Sequence, residues 1–155
     1  MNKAIEEHIK YVCENNLKNP KIIVVEDGPV CDSHKDSVDY ITSVFEANKI
    51  CEFNEPEKSV YMEVRANSNG VRTALNTLRV ATAFSNTFEG VIGVDLTRFA
   101  GESHAEYFRE FLDTLSDESE SAGTVVFVND DTVAEVVKEI LGGTIIGVDK
   151  GGDVR

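Results

Sequence analysis

KIIVVE at residues 21–26, with DGPV at 27–30 behind it, decides the fold. Its four consecutive β-branched apolar residues leave no polar face, so the segment reads as a strand covered on both sides. Asp27, Gly28 and Pro29 terminate it. VYMEV at 60–64, GVIGVDL at 90–96, TVVFV at 124–128 and TIIGV at 144–148 repeat the type. Helical periods lie before and between these strands. Ile5, Ile9, Val12 and Cys13 mark a helix over 3–16, broken by Asn19-Pro20. Val38, Ile41, Val44 and Phe45 mark one over 34–48, and Val71, Leu75, Leu78 and Ala81 one over 71–86 after an NSNG turn at 67–70. Tyr107, Phe108, Phe111, Leu112 and Leu115 mark 103–116, closed by DESESAG, and VAEVVKEIL at 133–141 follows, capped by Asp131 or Thr132.

One helix, four strand–helix units and a last strand make five strands joined by helical crossovers. Such crossovers are right-handed and make the strands parallel. The expected fold is therefore α/β, a three-layer α/β/α sandwich with a five-stranded, mainly parallel sheet. Residues 1–150 read as a single domain, and GGDVR at 151–155 as a frayed tail or the cut edge of a longer protein.

The 155 residues are 41% hydrophobic, enough for a core, and 28 acids against 15 bases give a formal net charge of -13. That balance argues against nucleic acid or an anionic membrane as a partner of the whole surface. The chain has no apolar run near the roughly 20 residues of a membrane span, and its start lacks a signal-peptide core, so a cytoplasmic location is expected. Cys13, Cys31 and Cys51 have neither the number nor the spacing of a disulfide framework or zinc site, and Cys13 reads as a buried thiol. His8, His34 and His104 are scattered and read as solvated.

Ligands of open parallel sheets bind at the carboxyl ends of the strands. Those ends carry Glu26 and Asp27, Asp95, Asn129 and Asp130, and Asp149 with Lys150. This edge is a candidate metal or phosphate site, with magnesium the cation that such oxygens suit. No catalytic residue is assigned. A second feature opposes the overall charge: no acid occurs between Arg65 and Phe88, while Arg65, Arg72 and Arg79 recur every seven residues. Arg72 and Arg79 share a helix face, a candidate contact for an anion or an acidic partner. The acidic stretch 113–120 is a complementary surface on another copy.

The order of elements, with Asp95 ending VIGVDL and Asn129 ending TVVFVN, resembles the core of a P-loop ATPase of the AAA+ class over residues 3–149. The resemblance implies a Walker B aspartate at Asp95, a sensor-1 residue at Asn129 and a phosphate-binding loop over 27–37. That loop departs from GxxxxGK[ST]: Ser33 replaces the second glycine, His34 the lysine, and Asp36 follows a displaced Lys35. Leu96 stands where the family has its catalytic glutamate. The resemblance thus implies a non-catalytic interaction or scaffold module that does not hydrolyse nucleotide, with no cofactor. Its partner would be a protein, either a second copy or a functional ATPase subunit. Two alternatives use the same edge. Asp27, Asp95 and Lys150 resemble the magnesium-dependent phosphoacceptor site of a receiver domain, and Glu26 with Asp95 the acidic pair of a Toprim-like nuclease, whose second aspartate is Thr97 here.

Overall fold

The structure, a computed structural model, describes residues 2–26, 33–65, 68–81, 87–99 and 105–148. Its elements run α1 (Lys3–Glu14), β1 (Lys21–Glu26), α2 (His34–Ala47), β2 (Ser59–Glu63), α3 (Ser68–Ala81), β3 (Gly90–Asp95), α4 (Glu106–Glu118), β4 (Ala122–Val128), α5 (Asp131–Leu141) and β5 (Thr144–Val148). The expected sandwich is the observed one, and every strand pairing is parallel, in the order β2-β3-β4-β1-β5. Among the described residues no helix is long and apolar enough to cross a membrane.

This order fixes the layers. The step from β1 to β2 crosses the sheet in one direction, past β4 and β3, and the steps to β3, β4 and β5 run in the other. Right-handed crossovers then place α2 on one face and α3, α4 and α5 on the opposite face. The packing agrees. Ile22 and Val24 of β1 join Ile5, Ile9 and Val12 of α1 and Val38, Ile41 and Phe45 of α2 in one cluster. Ile23 and Val25 join Leu78, Phe108, Phe111, Leu115 and Val137 in the other. Alternate β1 residues therefore serve opposite layers, and this is why KIIVVE has no polar face.

Two glycines let α2 settle onto the sheet. A Cβ on Gly93 of β3 would lie 2.4 Å from Val38 Cγ2, and one on Gly123 of β4 would lie 3.2 Å from the Phe45 ring. The helix that follows β1 thus sits close above β3 and β4, with its first turn over their carboxyl ends.

Several boundaries differ from expectation. Residues 68–70 form the first turn of α3 rather than a reverse turn, and α4 runs through Glu118 before β4 opens at Ala122. Asp130, not Asp131 or Thr132, caps α5, its carboxylate accepting from Val133 N at 2.9 Å. Cys13 is half-buried rather than buried, and both Cys13 and Cys51 are free thiols.

Candidate functional site

In β1 the residues facing α1 and α2 are Ile22 and Val24, so the next of that parity is Glu26, at the strand's carboxyl end. The same count along β4 reaches Phe127, and along β3 it passes Val91 and reaches Asp95. Glu26, Phe127 and Asp95 therefore lie on three neighbouring strands, facing the start of α2, with Asp95 level with Phe127 and Glu26 two residues further along, since Phe127 is in register with Val24. Two strand spacings, about 10 Å, separate the outer pair. His34, the first residue of α2, spans that gap.

The imidazole of His34 stacks on Phe127, with ring centroids 4.1 Å apart and planes 14° from parallel. Its Nδ1 is 2.8 Å from Asp95 Oδ2 and its Nε2 3.0 Å from Glu26 Oε2. The ring is 8% exposed. Burial works against a charge on it, but the hydrogen bonds to Asp95 and Glu26 and their negative charges prevail, and the pKa rises to about 9. At neutral pH His34 is an imidazolium donating to both carboxylates. Its place at a helix N-terminus opposes that charge as well.

Asp95 is the most heavily engaged acid of the edge. Oδ2 also accepts from Tyr61 Oη at 3.1 Å, and Oδ1 accepts from Thr97 N at 2.9 Å and Thr97 Oγ1 at 2.6 Å. Burial would raise its pKa, but the His34 and Thr97 hydrogen bonds outweigh burial and hold the carboxyl well below the usual range. Burial and the Asp95 charge push the Tyr61 phenol well above its ordinary pKa, so it remains a donor.

Sequence reasoning placed Glu26 and Asp95 at one edge, and the structure brings them together. His34, expected from the sequence to be solvated, is instead buried between them. The missed signal was strand parity. Two acids of one parity end the buried strands that flank β4, and a histidine opens the helix that passes over them. Asn129 is exposed and bonds neither acid, its Nδ2 donating to Thr97 O at 2.9 Å, and Asp130 is occupied as the α5 cap. Asp27, Asp149, Lys150, Cys31 and His104 lie outside the described residues. Arg65 pairs with Glu63. Arg72 and Arg79 are exposed residues of α3, with Asn76 between them.

Between Glu26 and Asp95, as these two side chains are arranged, magnesium has no room. The imidazolium occupies the space between the two carboxylates, and four donors already fill both oxygens of Asp95. Among the described residues no group of three or more His, Cys, Asp or Glu is disposed to hold a metal ion. Leu96, at the position of a water-activating acid in the P-loop resemblance, is buried in the core beneath α3 and α4. No family model matches the chain, and no curated protein matches it.

Proposed function

We propose that this chain is a non-catalytic P-loop-ATPase-like module of the AAA+ type, which holds protein partners and does not hydrolyse nucleotide. One observation carries the reading. His34, which takes the place of the phosphate-loop lysine, is turned inward onto Asp95 and Glu26 instead of outward to a phosphate. Its positive charge is spent on carboxylates of the protein itself. The sheet order lends support, because β1 and β4 are neighbours whose following helices leave to opposite faces. That makes the site in question the topological switch point, where such folds bind ligands. A buried ion pair fills it here.

The receiver-like and Toprim-like alternatives both need Asp95 available, to take a phosphoryl group or to hold magnesium. Its four hydrogen bonds oppose this. For the partner, the acid-free face of α3 with Arg72 and Arg79 suits an acidic protein surface.

Thermal unfolding with and without millimolar magnesium, each with and without ATP, tests the proposal. A ligand at 100 times its dissociation constant adds about 2.7 kcal/mol, several degrees for a domain of this size. The expected result is no shift in any condition and no phosphate release. A shift that requires ATP would overturn the reading, and a shift with magnesium alone would favour the phosphoacceptor or nuclease alternatives.

A further inference from the structure

The geometry points to a self-association surface at the β5 edge of the sheet: we infer that a second copy of this chain pairs there, β5 against β5 and antiparallel, to give one continuous sheet. The inference names a partner surface and does not depend on how the His34 site is read.

The two sheet edges are built differently. Strand β2 carries Glu63, exposed and ion-paired with Arg65 just after the strand, and Lys58 just before it bonds Glu46 and Glu55. Charges of this kind discourage a further strand. Strand β5 reads TIIGV, without charge or proline, and pairs β1 in unbroken register from Thr144 to Val148. Among the described residues, its outer edge carries none of the usual protections.

The strand also complements itself. A two-fold axis through Ile146 sets Thr144 opposite Val148 and Ile145 opposite Gly147. Each larger side chain of one copy then faces a smaller one of the other on the α3–α5 side, and Ile146 meets Ile146 on the α1–α2 side. An antiparallel partner of the same sequence satisfies both faces at once.

Helix α1 widens the contact. It lies on β5, and one of its flanks faces α2, where Glu6, Lys10 and Cys13 meet Tyr40 and Val44. The opposite flank, on the side of the open edge, carries His8 and Tyr11, three residues apart on the helix, while Ala4 beneath them is buried in the core. Tyr11 is 53% exposed and its ring lies beside that of His8, with centroids 5.9 Å apart. A five-residue strand is only about 17 Å long, so strand pairing alone falls short of a stable interface, and this flank supplies the remaining area. Two copies of a chain with net charge -13 repel over most of their surface; the strand TIIGV, His8 and Tyr11 contribute none of the 28 acids, and Glu7 on α1 and Asp149 after the strand border them in the sequence.

The test is molar mass by light scattering over a concentration series, joined to amide exchange. The chain is expected at twice its 17.1 kDa monomer mass. Outward amides of Thr144–Val148 should exchange at least tenfold more slowly in the dimer than in a Tyr11→Glu/Thr144→Lys variant, and amides of Ser59–Glu63 equally in both. Both substituted positions are exposed, and if the pair does not fold, Tyr11→Glu alone serves, because it leaves every strand hydrogen bond intact. A monomer at all concentrations overturns the inference. So does a dimer that persists in the variant, and so does β5 protection that is undiminished in a monomeric variant. The nucleotide and magnesium titrations can fail without altering any of these outcomes.

Discussion

Each end of the sheet draws a basic side chain away from water, fully for one and by half for the other, and the two meet opposite electrostatic fates. At the carboxyl end His34 lies between Asp95 and Glu26, and its pKa rises to about 9. At the amino end Lys21, the first residue of β1, donates from Nζ to Ser119 O at 2.6 Å and Ala122 O at 2.7 Å, and burial lowers its pKa to about 8. Burial works against the charge in both places. The difference lies in the partners: full negative charges at one end, carbonyl dipoles at the other. The amino end is also less completely satisfied, since Asn19 Oδ1 and Thr124 Oγ1 are buried there without partners. Nearby Cys51 is a thiol that burial pushes up to about 11. The carboxyl end is a closed network of charges, and the amino end is a tolerated burial.

The sharpest way to break this comparison is to remove His34. His34→Ala leaves Glu26 and Asp95 facing each other without a cation, and a buried pair broken on one side costs about 3–5 kcal/mol. A loss of roughly 10 °C in Tm at pH 7 is expected. The effect has a pH signature. The folded pKa of His34 lies above the unfolded value of 6.5, so its stabilisation is complete below pH 6.5 and is lost as pH rises to about 9. The gap between wild type and variant should therefore narrow over that window. Equal melting temperatures at pH 6 would show that the network contributes nothing to stability, and a gap independent of pH would refute the assignment of that window to His34.

Lys21→Met gives the second, smaller contrast. Methionine keeps the aliphatic packing but removes the donor to two part-buried carbonyls, a cost of about 1–3 kcal/mol. Lys21 has a folded pKa of about 8 against 10.5 unfolded. Its buried charge therefore costs stability below pH 8, and that cost is relieved as pH rises to 10.5, the reverse of His34. Denaturant midpoints across pH 8 to 10.5 should rise less in Lys21→Met than in wild type. A steeper rise in the variant would refute the assignment of that window to Lys21.

The same contrast explains what could be read from the chain. All five strands and their order with the helices follow from runs such as IIVV and GVIGV, because burial on both faces writes itself into consecutive residues. Glu26 and Asp95 were legible as strand ends. His34 was not, because its role depends on β4 lying between β1 and β3, and no local pattern encodes a neighbour in the sheet. Gly93 belongs to the same class: nothing within the strand accounts for its missing side chain, and Val38 resting on it does. The first turn of α3 was lost to turn chemistry. Ser68, Asn69 and Gly70 favour a turn by type, yet Gly70 packs against the backbone of Arg65, where a Cβ would not fit.

The smallest effect tests how far the carboxyl-end network extends. Tyr61 reaches Asp95 from β2, the strand beyond β3, and its hydroxyl is the weakest of the four donors by distance, at 3.1 Å against 2.6 to 2.9 Å for the others. Tyr61→Phe preserves the ring and deletes only that donor, so a cost of about 0.5–1.5 kcal/mol is expected. If the four donors act as one unit around Asp95, the cost should shrink in a His34→Ala background, where Asp95 is already unpaired and can take up a proton. A double-mutant cycle measures this directly. Additive costs would separate Tyr61 from the His34 network and confine the charge coupling to the three strands beneath the imidazole. A coupling above about 0.5 kcal/mol would join β2 to it, so that a single histidine at the start of α2 ties together the carboxyl ends of four of the five strands.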